Sequence, residues 1–227
     1  MNIKPVSVAC QEGVEDWERE AVLHAIRLVL ETGRVLHSTE IVDCGLWRSD
    51  AWLSSQGELS AWESVDWYIS HARAESSRPT QLNGHTLMRL LLAEPCRREK
   101  DGDHYDALVV ADDMYDGGET NFVLGLGAPG LGTVLSVNRL RSLEPELASL
   151  CISTLALHEF GHACGLIADD RRENFETSLG RHCTNRCVMR QGLYVPQDWI
   201  RFTEERLEEG RNFCAQCRDE LGRWFRR

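Results

Sequence analysis

The sequence contains no run of about 18 apolar residues, so nothing in it is long enough to cross a membrane as a helix. Its opening, MNIKPVSVACQEGVEDWERE, lacks the apolar segment of a signal peptide and turns acidic at once, which makes the cytoplasm the expected location. Positive charge is in deficit. Lys and Arg number 25 against 36 Asp and Glu, and the net charge of −11 argues against a nucleic acid or an anionic membrane as partner. The cationic end LGRWFRR is too short to reverse that balance. Internal repeats and low-complexity linkers are missing as well. The 227 residues, 42% hydrophobic and 27% charged, suit one large globular domain or a domain with a small appendage.

What is present reads as alternating helices and strands. Residues 15–32, EDWEREAVLHAIRLVLET, space their apolar side chains three and four apart and then meet Gly33, as an amphipathic helix does. VLHSTEIVDC reads as a strand and HTLMRLLLAE as a second helix. YDALVVADDMY has the continuous apolar centre of a buried parallel strand. Trp47, Trp52, Trp62 and Trp67 have no basic residues between them, so they read as core or pocket packing and not as a platform for stacked bases. In NFVLGLGAPGLGTVLSVNRL the segment GLGAPG matches the dinucleotide-binding G-x-G-x-x-G, but the strand-like TVLSV follows where a helix should begin. Those glycines are better explained by a hairpin-like connection. From Ser142 to Gly165 the chain reads as one buried helix: Ser142 or a neighbour can cap it, Pro145 lies in its first turn and Gly165 ends it.

That helix carries the chemistry. Residues 158–162 read H-E-F-G-H, and Gly165 continues a longer pattern, H-E-x-x-H-x-x-G-x-x-H, whose last His would fall at position 168. Position 168 is alanine. His158 and His162, four apart on a helix, can grip one ion, while Glu159 beside them can take a proton from a zinc-bound water. A catalytic zinc uses three protein ligands plus water. Five histidines precede the motif and one, His182, follows it. His182 is the expected third ligand, presented after an inserted acidic loop at residues 166–181, with Asp169 or Asp170 as the alternative.

Of nine cysteines, five are scattered: Cys10, Cys44, Cys96, Cys151 and Cys164 read as buried single thiols. The other four form two close pairs, Cys183 with Cys187 and Cys214 with Cys217. Four thiolates suit a closed, structural zinc site, for a total of two zinc ions per chain. The rival reading takes Cys214 and Cys217 as a redox dithiol, although that motif belongs near the start of a βαβ unit.

Together HEFGHACG, His182-Cys183, Cys187-Val188-Met189 and Cys214-x-x-Cys217 resemble the archaemetzincins, a metzincin family of zinc metallopeptidases, from about residue 80 to the end. The resemblance implies an α/β (α+β) fold: a mixed twisted sheet and a central active-site helix in residues 1–165, then a zinc-stapled C-terminal subdomain in 166–227. It further implies His158, His162 and His182 as ligands, Glu159 as general base, and Met189 beneath the metal. An edge strand near Phe122–Gly127 would hold an extended peptide. The chain departs from the family in placing 16 residues between Gly165 and His182, and in a C-x3-C spacing. The expected function is hydrolysis of peptide bonds in a peptide or protein substrate by a monomer. The alternative is a catalytically inactive zinc-stabilised binding protein of the same fold.

Overall fold

The computed structural model describes residues 2–45, 65–92, 104–118 and 120–227. The chain runs β1 (Val6–Cys10), α1 (Asp16–Thr32), β2 (Ile41–Gly45), α2 (Val65–Ala74), β3 (Gln81–Asn83), α3 (Gly84–Leu92), β4 (Tyr105–Val110) and β5 (Asp113–Tyr115). It continues with β6 (Gly125–Ala128), β7 (Gly132–Ser136), α4 (Pro145–Ala163), β8 (Phe175–Glu176), β9 (His182–Cys183), α5 (Gln197–Glu209) and α6 (Ala215–Arg226).

β4 is buried at all six positions because helices cover both faces of the sheet it centres. The strand order is β2-β1-β4-β7-β6: the first four strands run parallel, and β6 pairs antiparallel with β7. On one face Val6, Val8, Tyr105, Ala107 and Val109 pack against α1 and α4. On the other, Leu108, Val110 and Val134 pack against α2 and α3. Alternate β4 residues serve opposite faces, as the two-residue strand period requires. Each fully buried Val, Leu or Ile in these clusters contributes roughly 1.5–3 kcal/mol.

The glycine-rich connection is the expected hairpin, with Gly125↔Leu135 and Ala128↔Gly132 in register. The main helix is the expected one too, and α4 is buried on almost every side. Just past its end Gly165 takes φ +73°, where a Cβ would be strained and would meet the Trp224 ring at 2.3 Å.

Two local expectations change. VLHSTEIVDC is only half strand: Leu36–Ser38 forms a 3₁₀ turn, and the strand begins at Ile41, where pairing with Val6 starts. Ser142 does not cap α4, because its hydroxyl donates to the Arg139 carbonyl. Glu144 occupies the N-cap position without a side-chain bond, and Pro145 follows, where no N–H needs a partner. Trp67 is half-buried against the His71 ring at 3.8 Å, whereas Trp47, Trp52, Trp62 and Cys96 lie outside the described residues. No helix among the described residues is long and apolar enough to cross a membrane.

Candidate active site and metal centres

The last two turns of α4 bring His158 and His162 onto one face, and both Nδ1 atoms meet backbone carbonyls. His158 Nδ1 lies 2.8 Å from Val188 O, and His162 Nδ1 lies 2.6 Å from Leu166 O. A carbonyl only accepts, so each Nδ1 carries the proton and each Nε2 is left with its lone pair. The two Nε2 atoms are 3.2 Å apart. Lone pairs aimed at each other repel unless a cation lies between them. Two ligands at about 2.0–2.1 Å on a tetrahedral zinc stand about 3.3 Å apart.

His182, on β9, completes the cluster. Its ring centroid is 5.1 Å from each of the other two, and one nitrogen from each of the three rings lies within 4.8 Å of the others. Asp169 and Asp170 stay out of it: their side chains face solvent near Arg181 and Arg227, at 3.9 and 4.0 Å. Burial lowers the basicity of all three imidazoles. It pushes His162 down to about 4, with the neighbouring His182 adding to the effect. It takes His158 well below its ordinary value, reinforced by His162 and His182. For His182 the Gly180 carbonyl and Glu176 oppose the same depression. Neutral imidazole is the form that binds a metal.

Glu159 is buried next to His158, and burial alone pushes its carboxyl up to about 8. A dication on the three imidazoles would act in the opposite direction. Strand β6 crosses directly over this residue. A Cβ on Gly125 would sit 2.5 Å from Glu159 Cδ, and one on Gly127 would sit 2.6 Å from both Glu159 O and His162 Cβ. Glycine at alternate positions therefore lets the strand lie against the helix. Met189 is fully buried and packs against α4 at Gly161, near enough that a Cβ there would meet Sδ at 2.6 Å. The cleft at these groups, about 640 Å³, is lined by Phe122, Leu124, Gly125, Leu179, Leu193 and Trp199 among others.

The four clustered cysteines also come together. Cys183, Cys187, Cys214 and Cys217 are all buried with their sulfurs within 4.8 Å of one another, and Cys183 Sγ is 3.8 Å from Cys214 Sγ. Zinc–sulfur bonds of about 2.3 Å in a tetrahedron space the sulfurs by about 3.8 Å. The N–H groups of Cys214 and Cys217 point at the sulfurs of Cys187 and Cys214, at 3.3 and 3.5 Å. Of the scattered thiols, Cys10, Cys151 and Cys164 are buried and Cys44 is half-buried beside Ser7. Burial pushes Cys10 up to about 12, so it is a poor nucleophile.

Trp199 was not singled out in the sequence. It stands edge-on to His158 at 5.5 Å and packs on Gly192. The roles of Gly125 and Gly127 were also missed, because the hairpin absorbed those glycines. Their i, i+2 spacing on a strand was the available signal for close backbone approach.

No family model matches the chain. Among curated proteins it is 35% identical over 133 residues to the archaemetzincin of Nanoarchaeum equitans, covering 59% of this chain and 60% of that protein. It is 39% identical over 116 residues to that of Archaeoglobus fulgidus, covering 50% and 57%. It therefore spans less than two thirds of either relative. The match to the archaemetzincin of Methanopyrus kandleri is longer: 30% identity over 179 residues, 73% of this chain and 86% of that protein. In structure, the chain resembles the M. kandleri archaemetzincin with a TM-score of 0.65 at 21% identity, covering 100% of this chain and 97% of that one. A zinc-dependent peptidase from Methanocorpusculum labreanum gives a TM-score of 0.50 at 16% identity, covering 95% and 99%.

Proposed function

This chain belongs to the archaemetzincin family, and on that premise we propose that it is a zinc metallopeptidase hydrolysing peptide bonds. His158, His162 and His182 hold the catalytic zinc, and Glu159 is the general base. The observation that carries this reading is the convergence of three neutral imidazoles beside one buried carboxyl group, under an edge strand. Zinc, when bound there, supplies Lewis acidity that lowers the pKa of a water and polarises a carbonyl.

The protein's own groups do the rest. The carbonyls of Val188 and Leu166 hold two rings in the tautomer that leaves Nε2 with the lone pair a metal would take. Glu159 accepts a proton from the attacking water and returns it to the departing amine. An extended substrate lies along the outer edge of β6, the edge strand of the sheet among the described residues, and pairs with its backbone beside Glu159. Met189 packs beneath the imidazoles without binding the ion. Cys183, Cys187, Cys214 and Cys217 would hold a second zinc, for two ions per chain, and so staple the subdomain 166–227. We take the protein as a cytoplasmic monomer acting on a peptide or protein. Its charge of −11 supports leaving nucleic acid and anionic membrane out of its partners.

Glu159→Gln tests the reading, since the amide keeps the shape and cannot take the proton. Zinc content should be unchanged, while cleavage of a peptide found in a diverse library falls about 10²–10⁴-fold. Unchanged turnover would remove Glu159 from the mechanism. Absence of cleavage by zinc-loaded wild-type protein across such a library would leave a zinc-stabilised binding protein.

A further inference from the structure

Arg171 lies in the segment between α4 and His182, and its side chain is 0% exposed. Burying a guanidinium is costly unless its charge and its N–H groups are met. Its planar fork spans the four-cysteine centre: Nη1 is 3.5 Å from Cys217 Sγ and Nη2 is 3.4 Å from Cys183 Sγ. Nε donates to Glu173 O at 3.2 Å and stands 3.6 Å from Oε1 of Glu220, itself buried. The two sulfurs belong to different parts of the chain, β9 and the first turn of α6, so one side chain clasps both. Four thiolates on zinc carry a net charge of −2, and the Arg171 guanidinium touches two of the sulfurs.

The same residue holds the loop. Its N–H donates to Ala168 O at 3.0 Å, and its own carbonyl accepts from Arg181 Nη2 at 3.5 Å. Arg181 also donates to Ala168 O at 2.9 Å and to Ile167 O at 3.3 Å. Arg181 is the neighbour of His182. A continuous set of contacts therefore runs from the cysteine sulfurs through Arg171 and Arg181 to the third imidazole, in addition to the peptide bond between His182 and Cys183.

We propose that Arg171 is a positioning residue that offsets the charge of the four-cysteine zinc centre and ties the 167–182 loop to it, so that the cysteine centre governs how firmly His182 is presented. This rests on the reading of Cys183, Cys187, Cys214 and Cys217 as a zinc site. Arg171→Met keeps the length and apolar bulk without the fork, and Arg171→Lys keeps the charge and loses the bidentate geometry.

The test uses the full chain loaded with zinc. Zinc is counted per chain, and its release to a colorimetric chelator is followed in time. A second preparation loaded with cobalt reports on the cysteine centre through the thiolate-to-cobalt absorption bands. Loss of an outer contact of this kind costs about 10–100-fold in metal affinity. Arg171→Met should speed release of the cysteine-held ion by about that factor and alter the cobalt–thiolate bands. It should also speed release of the ion held by His182, and Arg171→Lys should fall between it and wild type. Should Arg171→Met not fold, Arg171→Lys decides, because it should show faster release and shifted bands with an unchanged far-ultraviolet spectrum. Two ions in wild type, with release and bands unaltered in the folded variants, would overturn the role of Arg171. A single ion in wild type, with no cobalt–thiolate bands, would overturn the four-cysteine site first, and the role of Arg171 with it.

Discussion

Replacing Gly125 by alanine puts a methyl carbon 2.5 Å from both Cγ and Cδ of Glu159 and 2.7 Å from Oε1. Carbon atoms sit comfortably at about 3.5 Å or more, so something must give way by about 1 Å. The backbone of α4 cannot, since the helix is enclosed on nearly every side in a close-packed interior. The carboxylate end of Glu159 is the part free to move, and it is the proposed base. Misplacing a catalytic group by about 1 Å costs about 10²-fold in rate. Overpacking of this kind costs about 1–3 kcal/mol, so the variant should still fold. The three atoms nearest that methyl all belong to Glu159, so the displacement should fall on its carboxylate and leave the three imidazoles in place to hold zinc. The expected outcome is therefore full zinc content with turnover about 100-fold lower. Gly127→Ala is the contrasting case. Its methyl would meet Glu159 O and His162 Cβ at 2.6 Å, and these atoms cannot rotate away. That variant should lose zinc and stability together. Kinetics on a cleavable peptide, metal analysis and thermal melts distinguish the two. Wild-type turnover in Gly125→Ala, or loss of zinc there with the rate per bound zinc intact, would refute the placement of Glu159 under β6.

His182→Ala should loosen one zinc ion and spare the other, whereas Asp169→Ala and Asp170→Ala should leave metal content unchanged in equilibrium dialysis. Cys214→Ser combined with Cys217→Ser should remove one ion per chain and lower the melting temperature, because structural zinc contributes folding free energy directly; retention of both ions by metal analysis would rule out that site. Ahead of α4, Arg141 grips the fully buried Glu18 through two bonds of 2.7 and 2.6 Å. Arg141→Met strands that carboxylate and should cost about 3 kcal/mol in urea unfolding. A loss under about 1 kcal/mol would show that the pair contributes no more than an exposed one.

The readable parts of the sequence were those governed by short-range rules. α1 followed from the spacing of Ala21, Val22, Ala25, Ile26 and Val29, and the β6–β7 hairpin from glycine between two apolar segments. Buried β4 followed from an unbroken apolar run. Where a local rule had a competitor, the reading slipped. Ser142 has the chemistry of a cap, yet its hydroxyl is satisfied one turn earlier by Arg139. Leu36–Ser38 has strand-like composition, yet it has no strand to pair with until Ile41.

The sequence alone determined that two imidazoles four residues apart share one face of a helix, and that a carboxyl group stands beside them, because helix geometry repeats every 3.6 residues whatever surrounds it. It also marked the two cysteine pairs. Tertiary structure decided what joins them. His182 reaches the pair from 20 residues beyond His162, Trp199 stands edge-on to His158, Met189 is buried against Gly161, and Arg171 is drawn inside with the sulfurs. His182 and the two aspartates differ in burial. The loop turns Asp169 and Asp170 to water, where charge is cheap to keep, and His182 inward, where a neutral ring can remain.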